Sequence, residues 1–129
     1  MTGVLVDTSV WIPYFRSGTD VTSEAVDQLI REERAWITGP IVAELLQGVR
    51  SRREAGNLES ALSVLRYAPI EGKDWETAGN LLRRLRESGI TVPLTDALIA
   101  VVARRHNIAV LTHDRHFGHL DVRLIDPGS

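Results

Sequence analysis

Val4-Leu5-Val6-Asp7-Thr8-Ser9 decides the fold: a short β-branched and apolar run stops at a carboxylate followed by two hydroxyl residues. Such a run suits a strand buried on both faces. Thr8 and Ser9 then offer side-chain oxygens suited to cap a helix. Asp7 is thereby expected at the C-terminal end of a first strand, the edge at which open α/β sheets collect their ligands.

The pattern repeats along the chain. Val10 to Phe15 is apolar and aromatic, with Pro13 expected in a first helical turn, and Ser17-Gly18-Thr19 breaks it. Ser23 is the expected cap of a helix carrying Val26, Leu29 and Ile30 on one face. Ala35 to Thr38 reads as a strand, and Gly39-Pro40 opens a helix from Ile41 to about Val49 that carries Glu44. Ser51 to Leu65 is helical, with Leu58, Ala61, Leu62 and Leu65 as its stripe, and Tyr67 to Ile70 is a brief strand. Asp74 is the expected cap of a helix whose face holds Trp75, Ala78, Leu82 and Leu85, ended by Gly89. Pro93-Leu94-Thr95-Asp96 reads as a loop and cap before an apolar helix to Arg105, punctuated by Asn107. Ile108 to Thr112 and Val122 to Ile125 complete the strands, and Asp126-Pro127-Gly128-Ser129 is expected to fray. Strands alternating with helices predict α/β: one domain over residues 1–129, with a mainly parallel central sheet flanked by helices.

Composition narrows the chemistry. Among 129 residues there is no cysteine, which removes disulfides, thiolate zinc sites and cysteine nucleophiles. The longest apolar run, Ala97 to Ala103, falls far short of the ~20 residues of a membrane span. Asp7 interrupts any signal-peptide pattern, so the expectation is a cytoplasmic protein without a membrane partner. Net charge is −2, so no global basic field is present. Lys73 is the only lysine; the other basic residues are arginines, clustered at Arg50, Arg52 and Arg53, at Arg83, Arg84 and Arg86, and at Arg104 and Arg105. Arg16 and Arg115 join Arg50, Arg52 and Arg53 as candidate phosphate contacts beside the bland reading of a solvated face.

Four acids fall where this architecture converges. Asp7 ends the first strand, Glu44 lies one turn into the helix after the second, Asp96 stands at the start of its helix, and Asp114 follows the strand Ile108 to Thr112. Glu44 and Asp96 are embedded in apolar sequence, which predicts partial burial, and buried acids need partners. With no strong base adjacent to each, a hard divalent cation, Mg²⁺ or Mn²⁺, resolves the repulsion and can activate water against a phosphodiester. Thr8, Ser9, Thr95 and Thr112 are the hydroxyls expected to hold the carboxylates. Each acid alone also has an ordinary reading as helix cap, solvated face or turn. The four histidines, His106, His113, His116 and His119, fit no zinc spacing and read as surface or RNA-contacting residues. Trp11, Tyr14 and Phe15 read first as core, and second as part of an apolar face for a partner helix.

Together with Ile41-Val42-Ala43-Glu44-Leu45-Leu46-Gln47-Gly48, Thr95-Asp96-Ala97-Leu98-Ile99-Ala100 and Leu111-Thr112-His113-Asp114, the opening stretch resembles the PIN-domain ribonucleases, and within them the VapC toxins of toxin–antitoxin pairs. The resemblance runs in order from residue 4 to about residue 117. It implies a metal-dependent endoribonuclease that cuts RNA, is silenced by a cognate antitoxin, and forms a homodimer and a toxin–antitoxin hetero-oligomer. It carries metal-ligand and catalytic roles onto Asp7, Glu44, Asp96 and Asp114. Where many relatives have a further acid two residues past the last aspartate, this chain has His116, which makes one metal the expectation. The alternatives are a PIN-like module that binds RNA or protein without turnover, and a receiver-like domain, which the misplaced Lys73 disfavours.

Overall fold

The computed structural model describes residues 2–125. Its elements are β1 (Val4–Val6), α1 (Thr8–Arg16), α2 (Val21–Arg31), β2 (Ala35–Thr38), α3 (Gly39–Gln47), α4 (Arg52–Leu62), β3 (Arg66–Ala68), α5 (Gly72–Glu87), α6 (Leu94–Arg105), β4 (Ala109–Leu111), a 3-10 helix (Arg115–His119) and β5 (Leu124–Ile125). The five strands lie in the order β3-β2-β1-β4-β5, and every pairing is parallel. This is the expected α/β architecture with helices on both faces of the sheet. All three residues of the central β1 are buried, because both faces of the sheet are covered.

The order of the strands positions the site. The chain steps outward from β1 to β2 to β3, then returns to lay β4 on the other side of β1. Beyond the C-terminal ends of β1 and β4, the connections diverge and leave a crevice at the switch point. Asp7 and Asp114 follow those two strands.

Several local expectations are corrected. Asp7 itself, extended at φ −77° and ψ 158°, caps α1 in place of Thr8 or Ser9, which lie in the first turn. Pro13 is in the second turn of α1, not the first. Asp20, not Ser23, caps α2, its Oδ1 accepting from the Ser23 N–H at 2.7 Å. Glu71 caps α5, and Asp74 is its capping-box partner inside the helix. Asp74 faces inward with Ala78 and Leu81, so Trp75, one residue on, turns outward and is 53% exposed. Pro93 caps α6, which places Asp96 inside the first turn. β4 and β5 are shorter than expected, β3 begins one residue earlier, and the 3-10 helix replaces an expected loop. Residues 126–129, the expected fraying tail, lie outside the described residues.

Thr38 ties the end of β2 to β3. Although it is the residue before α3, its hydroxyl makes no cap; it donates to the Ala68 carbonyl at 2.6 Å in the buried layer between β2 and β3. Thr38→Val keeps the shape and leaves that carbonyl without its hydroxyl donor. Denaturant unfolding is expected to show a loss of about 1–2 kcal/mol; an unchanged midpoint would show the bond to be idle.

Candidate metal centre at the sheet switch point

Asp7 is the best-anchored acid of the crevice. Its backbone N–H donates to the Leu111 carbonyl at 2.9 Å, fixing the end of β1 against β4. Its Oδ2 accepts from Ser9 Oγ at 2.8 Å, from Thr112 Oγ1 at 2.9 Å and from the Ser9 N–H at 3.3 Å. Oδ1 has no hydrogen bond among the described residues. One oxygen is thus locked by the protein while the other makes no such bond among the described residues. The two hydroxyls are themselves held, since Ser9 Oγ accepts from the His113 N–H at 2.9 Å and Thr112 Oγ1 from the Asp114 N–H at 2.9 Å.

Asp96 enters from the first turn of α6, a helix buried all round from Asp96 to Ala103. The residue is 8% exposed. Its Oδ2 is buried without a hydrogen-bond partner among the described residues. Burial pushes its pKa up to about 6, and the nearby carboxylates of Asp114 and Asp7 push the same way against an opposing pull from His116. Asp114 caps the 3-10 helix, its Oδ1 accepting from the His116 N–H at 2.9 Å. The ligand atoms of Asp96, Asp114 and His116 all lie within 4.8 Å of one another.

Glu44 is placed differently. It is exposed, against the expected burial, and its Oε1 accepts from Thr8 Oγ1 at 3.0 Å on the rim of the crevice. Ile41 and Leu45 form the buried side of α3. Of the four expected hydroxyls, Ser9 and Thr112 hold Asp7, Thr8 holds Glu44, and Thr95 makes no side-chain hydrogen bond among the described residues. His116, read from the sequence as a surface histidine, stands beside two of the acids. Its position two residues past Asp114, where a helical turn brings it back over the cap, was the available signal. Arg16, Arg50, Arg52, Arg53 and Arg115 are exposed and form no ion pair among the described residues. Trp11 is buried and stacks on Phe15 at 5.4 Å, while Ile12 and Phe15 are 44% and 41% exposed.

The Asp96 and Asp114 carboxylates fit a hard divalent cation: they repel each other at close range, Asp7 adds its charge from outside their cluster, and the buried Asp96 Oδ2 makes no hydrogen bond among the described residues. Acids gathered at the switch point of a parallel sheet place the chain among the α/β proteins that hold their ligands at that edge. The comparisons narrow it. The PIN domain family model matches residues 4–123. Ribonuclease VapC11 of Mycobacterium tuberculosis is 32% identical over 118 residues, covering 88% of each chain. Among solved structures, DNA-bound VapBC from Salmonella typhimurium aligns with a TM-score of 0.83 at 22% identity, covering 98% of this chain and 99% of that one. VapBC-5 from Mycobacterium tuberculosis, a member of the VapBC family of toxin–antitoxin systems, aligns with a TM-score of 0.64 at 26% identity over 96% and 97%. This chain belongs to the PIN domain family, among relatives that are VapC ribonucleases.

Proposed function

We propose that residues 1–129 form one PIN-like nuclease domain, the toxin of a toxin–antitoxin pair, which hydrolyses RNA phosphodiester bonds with Mg²⁺ or Mn²⁺ in the cytoplasm. The observation that carries this reading is the buried Asp96 Oδ2, without a hydrogen bond among the described residues, under the charge of Asp114 and Asp7. Asp7, Asp96 and Asp114 would hold the cation, with Glu44 on the rim. When bound, the cation would lower the pKa of an attacking water and offset the charge that builds on the phosphate.

The chain's own groups do the rest. Ser9 and Thr112 keep the Asp7 carboxylate in one orientation, so no reorganisation is needed when substrate arrives. Thr8 limits the swing of Glu44. The guanidinium groups of Arg16 and Arg115, which form no ion pair among the described residues, would take backbone phosphates, which recognise RNA without reading its bases. The exposed Ile12 and Phe15 of α1 offer an apolar face to an antitoxin segment.

Tag-free protein incubated with single-stranded RNA is expected to cut it only when Mg²⁺ or Mn²⁺ is present, and to stop in EDTA. Equal cleavage in EDTA by homogeneous protein, or RNA bound and never cut with either cation, would overturn the reading.

A further inference from the structure

His116 sits on the first turn of the 3-10 helix with its ring turned back over the acids. Its Nδ1 lies 3.1 Å from Asp114 Oδ1 and 3.4 Å from Asp96 Oδ2. Neighbouring donors on one six-coordinate cation, each at about 2.1 Å, stand about 3 Å apart. Both separations from the His116 nitrogen are close to that value, and all three ligand atoms lie within 4.8 Å of one another. A second observation asks for a cation at the same place: Asp96 Oδ2 is buried and has no hydrogen-bond partner among the described residues, even with His116 nearby. The His116 backbone N–H donates to Asp114 Oδ1 at 2.9 Å, which holds the Cα of His116 beside that carboxylate.

The geometry points to His116 as an imidazole ligand that completes the site with Asp96 and Asp114, so that this chain takes a transition-metal ion such as Mn²⁺ in preference to Mg²⁺. This rests on reading the crevice as a cation site. Mg²⁺ is a hard ion that keeps oxygen ligands and several waters, and gains little from a neutral nitrogen. Imidazole suits the transition-metal ions, and the mixed nitrogen and carboxylate set is one that Mn²⁺ accepts. A neutral nitrogen in place of a further carboxylate also withholds the negative charge on which Mg²⁺ binding depends.

The test uses tag-free chain, since a histidine tag would add its own imidazoles. Calorimetric titration with Mn²⁺ alone and Mg²⁺ alone is run on the wild type, His116→Gln, His116→Asp and Asp96→Asn, with electron spin-echo spectra of the Mn²⁺-loaded samples. The His116 ring is 47% exposed, so its variants are expected to fold. Expected are a higher affinity for Mn²⁺ than for Mg²⁺, a ¹⁴N modulation lost in both His116 variants, and a preference that shrinks in His116→Asp. Asp96-dependent binding of Mn²⁺ without nitrogen coupling, or with its preference intact in His116→Gln, would overturn the ligand role and leave the cation site standing. No Asp96-dependent binding of either ion would overturn both.

Discussion

Asp96→Asn is expected to lower RNA cleavage by about a thousandfold while raising the melting temperature of the metal-free protein above pH 6. The two effects have one cause. In the folded chain Asp96 is buried, and its pKa is about 6 against an ordinary 3.8. Between those values the folded state holds a proton that the unfolded state has released, so stability falls as pH rises through the window. The contribution is fully present below 3.8 and lost above 6. Asparagine has the shape of the protonated acid and no charge, so its advantage should be greatest at pH 7–8 and vanish near pH 4. A divalent cation reverses the ranking, because it stabilises the ionised wild type and has less to hold in the variant. Thermal melts from pH 4 to 8, in EDTA and in Mn²⁺, read all of this alongside a cleavage assay. A variant that melts lower than wild type at pH 8 without metal, or that cuts RNA at the wild-type rate, would remove Asp96 from the role given to it.

The same burial makes Asp96 legible in the sequence. Asp96 stood out because it precedes a run too apolar for a surface helix, and the structure buries that run all round. Asp7 and Asp114 stood out because strand ends are where acids meet in a parallel sheet. Glu44 departs from its expected burial for a geometric reason: its apolar neighbours in sequence lie about 100° away around the helix and do not cover it. The expected caps at Thr8 or Ser9, Ser23 and Asp74 moved to Asp7, Asp20 and Glu71 for another. Each stretch offers several side-chain oxygens, and the one on the last extended residue wins. Trp75 follows from the same shift, since its outward turn is set by Asp74 pointing in. Zinc spacings do not reach His116, because they relate histidines to one another, whereas its neighbours are carboxylates, one of them on a separate helix.

Arg105→Ala is expected to cost about 3 kcal/mol of stability, or roughly 10 °C in melting temperature, and to leave cleavage intact where the protein is folded. Arg105 ends α6 and grips α5. Its Nε and Nη2 donate to Asp74 Oδ1 and Oδ2 at 3.0 and 2.9 Å, Nη2 also reaches the Pro69 carbonyl at 2.7 Å, and Nη1 reaches Glu71 at 3.2 Å. Asp74 is 3% exposed. Burial alone would raise its pKa, but the guanidinium and the Glu71 N–H outweigh it and hold the carboxyl below its usual range. The pair therefore contributes stability above pH 3.8 that is lost as pH falls through the lowered value, so the deficit of the variant should shrink in acid. The expected cost is at the low end for a broken buried pair because the Arg105 side chain is 29% exposed. Asp74→Asn added to Arg105→Ala should recover part of the loss, since the damage comes from a buried carboxylate left without its cation. A single variant that unfolds at the wild-type midpoint, or a double variant no better than the single, would show the network to be ornamental. Nine residues of helix, about 14 Å, separate Arg105 from Asp96, so the chain is expected to lose its clamp between α5 and α6 without disturbing the crevice that the other end of α6 helps to build.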